Sequence, residues 1–163
     1  MGGDMFKNIL VPTDGSPLSR RAVRCAVQLA REQNARVTGL WVGPAWEPNL
    51  YAYGDSVPRG FVSRKEHAAH VRKAGARPLG AVRKLAAAAR VPCKYLCVEG
   101  AFPYLEIIKA ARRSRCDLIV MASHSRRGIS RLLLGSQTSK VLALAGVPVL
   151  VVTSARPSPS GGP

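Results

Sequence analysis

The fold class predicted for this chain is a single doubly wound α/β domain: one five-stranded parallel sheet with helices on both faces. Three observations carry that prediction. Five short runs rich in Val, Ile and Leu recur along the sequence, helical patterns separate them, and the runs are apolar on successive residues, as strands covered on both sides are. Regular alternation of strand and helix calls for right-handed crossovers, which distribute the helices over the two faces of a parallel sheet.

The first strand is read as Phe6 to Pro12, closed by the turn Thr13-Asp14-Gly15-Ser16. Leu18 to Gln33 follows as a helix, with Ala22, Ala26, Leu29 and Ala30 at helical spacing. Val37 to Val42 is the second strand and Ser63 to Ala89 the second helix. Gly75, Pro78 and Gly80 interrupt that helix, and an interior proline costs about 3 kcal/mol relative to alanine, so a kink or a restart is expected at Pro78. Lys94 to Val98, Asp117 to Ala122 and Pro148 to Thr153 complete the sheet, separated by helices over Tyr104 to Arg113 and Leu132 to Ala145. Gly43 to Gly60 is a long loop carrying Trp46, Tyr51 and Tyr53, readable as a lid over a site or as a loop whose aromatics pack on the domain's own surface. Residues 1–5 and the Pro, Ser and Gly tail 154–163 are expected to be disordered, which leaves 6–153 as the domain.

The chain is 163 residues long, 47% hydrophobic and 21% charged, the size of one domain with a full core. Its longest apolar run, Val141 to Val152, is broken by Gly146 and Pro148 and is shorter than the ~20 residues of a membrane helix. The N-terminus has no apolar signal segment, and Phe6 occupies the position where a myristoylation signal needs Ser or Thr, so a cytoplasmic location is the expectation. Cys25, Cys93, Cys97 and Cys116 lie in apolar surroundings without a C-x-x-C spacing and read as reduced core residues. His67 and His70 have helical spacing but no third ligand nearby, so they read as a solvated helix face and no metal is predicted beyond Mg carried by a nucleotide.

A net charge of +16 invites adhesion to polyanions. In the sequence, however, the cations fall in three separate regions, Arg20 to Arg31, Arg59 to Arg90 and Arg112 to Arg131, without interleaved aromatics to stack bases. Salt-sensitive adhesion is therefore expected, and dedicated nucleic-acid binding is not.

In an open parallel sheet, ligands bind beyond the carboxyl ends of the strands where the winding reverses, so the turns after strands one and four are the candidate site. After strand one, Asp14 can accept from ribose or adenine donors, and Asp14 and Ser16 also suit capping of the turn and the following helix. After strand four come Ala122, Ser123, His124 and Ser125, then nine residues, then Gly135, Ser136, Gln137 and Thr138. Backbone N–H groups at the two ends of this loop can face one concavity, the second end opening a helix whose N-terminus favours negative charge. Ser136 and Thr138 add hydroxyls, Ser136 doubling as the expected N-cap, while Arg126, Arg127 and Arg131 can neutralise phosphate charge.

From Phe6 to Thr153 the chain resembles the universal stress protein family: the start ILVPTDGS, the VEG segment with nearby Pro103, then CDLIVMASHSRRG, LLLGS and the closing VPVLVV carry the resemblance. It implies a five-stranded doubly wound fold, dimerisation and, in one subclass, ATP binding through G-x2-G-x9-G-[ST]. That pattern stands here as Ala122, Ser125, Gly135 and Ser136, and the resemblance puts the adenine and ribose end at Pro12, Thr13, Asp14 and the backbone of Val42. Two glycines of the pattern are replaced. Ser125 is the costlier replacement, since a non-glycine residue at positive φ is strained by ~1 kcal/mol or more. A retained pocket for ATP or AMP with weakened or altered affinity is the expectation.

Enzymatic readings fare poorly. Asp14-Gly15-Ser16 is similar to the D-x-D-G-[ST] of aspartate-nucleophile phosphatases, but Pro12 holds the nucleophile's place. Gly135-Ser136-Gln137 lacks the GK[ST] ending of a P-loop. The alternative to a nucleotide binder is a nucleotide-independent dimeric interaction module. In strand order 3-2-1-4-5 the strand Pro148 to Thr153 is an apolar edge, and a homodimer through it is expected.

Overall fold

The computed structural model describes residues 5–47, 63–123 and 135–153. Five parallel strands, β1 (Asn8–Pro12), β2 (Arg36–Gly43), β3 (Cys93–Glu99), β4 (Leu118–Ala122) and β5 (Val149–Val152), form one sheet in the order β3-β2-β1-β4-β5. Four helices connect them: α1 (Pro17–Glu32), α2 (Arg64–Ala88), α3 (Pro103–Arg113) and α4 (Ser136–Leu144). The order predicted from sequence is the order observed, with β5 at one edge and β3 at the other.

Each face of the sheet has its own core. Ile9, Val11, Val37, Leu118 and Val120 point to α1 and α2, where Ala22, Val23, Ala26, Val82 and Ala86 meet them. Leu10, Leu40, Ile119 and Met121 point the other way, against Ile107, Ala110 and Ala111 of α3 and Val141 of α4. The alternation follows from the two-residue period of a strand, and both sets are apolar because both faces are covered.

The helix starts are locally encoded. Ser16 caps α1, its hydroxyl accepting from the Ser19 N–H at 3.1 Å, with Pro17 in the first turn where no N–H is needed. Ser63 and Glu66 make a reciprocal capping box on α2. The Glu66 carboxyl is held below its ordinary range by the hydrogen bonds it accepts from the Ser63 side chain and backbone.

Three details depart from the sequence reading. α2 runs unbroken through Pro78, so there is no restart; the proline ring is buried against the Gly15 turn, so close that a Cβ added at Gly15 would stand 3.2 Å from its Cγ, and this packing offsets the lost helical hydrogen bond. α4 begins at Ser136 and not at Leu132, and its N-cap is Gly135, so Ser136 is the first helical residue. Cys97 is exposed on edge strand β3, whereas Cys116 is buried; all four thiols are free. Neighbouring strands flank an interior strand on both sides and an edge strand on one side only, which is why an apolar run on β3 left a thiol exposed.

Candidate functional site at the carboxyl ends of the strands

The site begins where β1 ends. Thr13 continues the ladder by donating its N–H to the Leu40 carbonyl at 2.9 Å, and then the chain turns sharply at Gly15, whose φ of 80° suits glycine. The Thr13 hydroxyl accepts from the Gly15 N–H at 3.2 Å and lies 3.1 Å from the Ser19 hydroxyl, so this buried side chain ties the turn to the first coil of α1. The Asp14 carboxylate accepts from the Ser16 N–H at 2.9 Å and remains exposed. Asp14 thus both braces the turn and presents negative charge at its rim.

β4 ends at Ala122, paired in register with Val152 of β5. Ala122 is absent from the residues with positive φ, so the side chain that replaces glycine there costs the backbone nothing. Ser123 is buried, and its hydroxyl accepts from the Gly135 N–H at 3.1 Å. That bond fixes the start of α4 against the end of β4. Gln137, one residue into the helix, uses its Oε1 to accept from the Tyr104 N–H at 3.0 Å, capping the first turn of α3 that Phe102 leaves without a side-chain cap.

These elements enclose one cavity of ≈ 420 Å³. Pro12, Thr13 and Asp14 border it from β1, Val42 from β2, and Ala122 from β4. Gly135, Ser136, Gln137 and Thr138 border it from the start of α4. Of the residues singled out in the sequence, Ser123 lies beneath this wall as a brace; His124, Ser125 and Arg127 lie outside the described residues, as do Arg126, Arg131, Tyr51 and Tyr53. The sequence reading missed the apolar floor: Leu40, Trp41, Pro103, Ile107 and Met121 also border the cavity. In sequence these are ordinary core residues, and only the side-by-side placement of β2, β4 and α3 turns them into a surface.

The first-turn N–H groups of a helix have no intrahelical acceptor, and at α4 they concentrate partial positive charge at the cavity wall. The arrangement can therefore receive an anion at one end, a flat apolar group on the floor, and hydroxyl donors at Asp14. Thiol chemistry has no place in it: burial pushes the thiols of Cys93 and Cys116 up, desolvation of the Cys97 sulfur raises that thiol too although the residue is exposed, and none of the three borders the cavity. Among the described residues no cluster of three or more His, Cys, Asp or Glu can hold a metal. His67 instead sets its Nε2 3.0 Å from the Pro44 carbonyl and 3.9 Å from Glu99.

The sequence model of the universal stress protein family matches residues 5–153. The chain belongs to that family. It is 33% identical to the universal stress protein MJ0531 of Methanocaldococcus jannaschii, over 93% of this chain and 84% of that one. Its fold is similar to a universal stress protein solved in complex with cAMP, with a TM-score of 0.60, 25% identity, and 92% of this chain and 98% of the other covered. A universal stress protein from Archaeoglobus fulgidus in complex with dAMP shares the fold at a TM-score of 0.62 and 18% identity, over 91% of this chain and 98% of that one.

Proposed function

We propose that this universal stress protein is an adenine-nucleotide binder, AMP-like or ATP, and that it works by binding and not by catalysis. The observation that carries the proposal is that the Asp14 turn, Val42 and the first turn of α4 open into one cavity. Its ≈ 420 Å³ falls within the usual range for small-molecule sites. In this reading the base lies on the floor made by Leu40, Ile107 and Met121, Asp14 accepts from ribose hydroxyls, and phosphate oxygens meet the N–H groups of Ser136 and Gln137. The relatives solved with cAMP and dAMP support an adenylate of one phosphate as the first ligand to test.

The protein acts in this reading as a cytoplasmic homodimer whose copies pair along β5. That strand is an edge, it bears Leu150 with 40% of its surface exposed, and such an edge is a template for a second copy. A monomer by light scattering at micromolar concentration would remove this part of the proposal.

The direct test is mass spectrometry of nucleotide released by denaturing freshly purified protein, followed by isothermal titration with AMP, cAMP and ATP. An adenylate carried through purification, or heat on titration, is the expected result. Silence toward all three at millimolar concentration refutes nucleotide binding and leaves the interaction module. Ser125→Gly restores the family's glycine and is expected to raise affinity for ATP more than for AMP.

A further inference from the structure

The cations that are scattered in sequence are gathered in the fold. α1 and α2 cover the same face of the sheet and share one core. They also run side by side in the same direction: Pro78 of α2 packs on Gly15 just before α1, and farther along, Ala88 and Ala89 border a shared hollow with Ala30 and Arg31. On α1, Arg20, Arg24 and Arg31 follow one another at intervals of four and seven residues; on α2, Lys73, Arg77 and Lys84 repeat the same two intervals. Each set therefore forms one stripe along its helix, about 16 Å long at a rise of about 1.5 Å per residue, and all six residues are exposed.

Little negative charge balances them. α1 and α2 carry 4 and 7 Arg and Lys against one carboxylate each, Glu32 and Glu66, a balance of 11 − 2 = +9. Both carboxylates are otherwise engaged, Glu32 accepting from Gln28 Nε2 and Glu66 from Ser63. Among the described residues no ion pair joins any of the six stripe cations to a carboxylate. The helices of the opposite face, α3 and α4, carry Lys109, Arg112, Arg113 and Lys140 against Glu106, a balance of 4 − 1 = +3.

From this juxtaposition we infer that the α1/α2 face docks the phosphate backbone of double-stranded nucleic acid without reading its sequence. Two parallel cationic stripes on helices packed roughly 8–10 Å apart suit a rigid, evenly charged polyanion. Neither helix contains Phe, Tyr or Trp, and Tyr95 beneath them on β3 is covered by the Arg83 guanidinium at 5.5 Å, so the two stripes offer no row of large stacking platforms of the kind that holds single strands. Among the described residues the exposed large apolar ones, Met5, Phe102, Leu142, Leu144 and Leu150, all lie outside α1 and α2, so these two helices lack the anchors by which an interfacial helix enters a bilayer.

The test separates a built face from diffuse net charge. The unaltered chain is compared with Arg24→Glu/Arg77→Glu and with Arg112→Glu/Arg113→Glu, two variants that change net charge equally but on opposite helix layers. The layers are separated by more than the Debye length of about 10 Å at 0.1 M salt, so the far pair is screened from the face. Anisotropy of a labelled 24-base-pair duplex should show binding weakened about tenfold or more by the α1/α2 pair, with a salt slope lower by about 2, and less than about twofold weakening by the α3 pair. The neutral Arg24→Gln/Arg77→Gln should move in the same direction by less, which guards against a folding defect in the reversed pair. Equal weakening by both reversed pairs overturns the inference in favour of charge alone. Single strands bound as tightly as duplex, or stripe-dependent binding to vesicles containing phosphatidylserine with none to duplex, overturns it as well. The nucleotide cavity is untouched by these variants, so titration with AMP separates failure here from failure there.

Discussion

The two ends of the sheet are both rich in polar groups and use them in opposite ways. At the amino end the groups satisfy one another. The Asp117 carboxylate accepts from the N–H groups of Lys7 and Asn8, at 2.8 and 3.1 Å. The buried Asn8 side chain donates to the Ser114 carbonyl at 2.7 Å and accepts from the Thr38 hydroxyl at 3.0 Å. The last turns of α1, α2 and α3 are closed in the same spirit: Ala35, Val91 and Cys116 each donate back to the carbonyl five residues earlier, at 2.8, 2.9 and 2.8 Å. At the carboxyl end, by contrast, the turn after β1 and the first turn of α4 direct charge and helix N–H groups toward a cavity. An end whose polar groups are internally spent supplies stability, and an end that leaves them pointing outward supplies a site.

The sharpest way to break this comparison is Asn8→Ala. It removes the Asn8 partner of the buried Thr38 hydroxyl and of the part-buried Ser114 carbonyl, and at about 1–3 kcal/mol for an orphaned group the expected loss is about 2–3 kcal/mol of unfolding free energy, read from urea melts. Affinity for AMP in the folded protein should not change. A variant that keeps its stability, or that loses nucleotide affinity while still folded, shows that the two ends are not separate in role.

Asp14→Ala tests the opposite end. The lost hydrogen bond to Ser16 is exposed, so stability should fall by no more than about 1 kcal/mol. Affinity for an adenylate should fall about tenfold, since a charged acceptor contributes about 1.5 kcal/mol or more to a partner it meets. Titration calorimetry beside a thermal melt reads both, and an unchanged affinity removes Asp14 from the site and leaves it only the turn.

The contrast between the ends also explains what the sequence made legible. Strands, helices and their winding follow from period and composition, because each buried face imposes its own repeat, and a cavity beyond the ends of β1 and β4, the candidate site, follows from the winding. Pro12, Asp14 and Gly135 could be named because polar and turn-forming residues stand out locally. Met121 and Ile107 could not, since a residue flooring a cavity and one filling a core share the same chemistry. Pro78 misled for a related reason: helix propensity is local, whereas the Gly15 turn that packs on its ring lies 63 positions away in sequence, from 15 to 78. The cationic face was hidden in the same way, its two stripes being 53 positions apart, from Arg20 to Lys73, until α1 and α2 were laid side by side.

The smallest expected effect lies at the amino end and has the opposite sign. Asn34, Arg90 and Arg115 occupy the left-handed position after α1, α2 and α3, at φ of 49°, 58° and 53°, where glycine is the usual residue. Side chains pay about 1 kcal/mol for that conformation, while glycine gives back part of the gain by loosening the unfolded chain. Arg90→Gly should therefore stabilise by somewhat under 1 kcal/mol, a rise in Tm of about 2 °C for a domain of this size. Arg90 lies outside both proposed stripes, so duplex binding should keep its salt slope. A fall in Tm would mean that the arginine stem, which borders the hollow between the ends of α1 and α2, contributes more by packing than its backbone loses by strain.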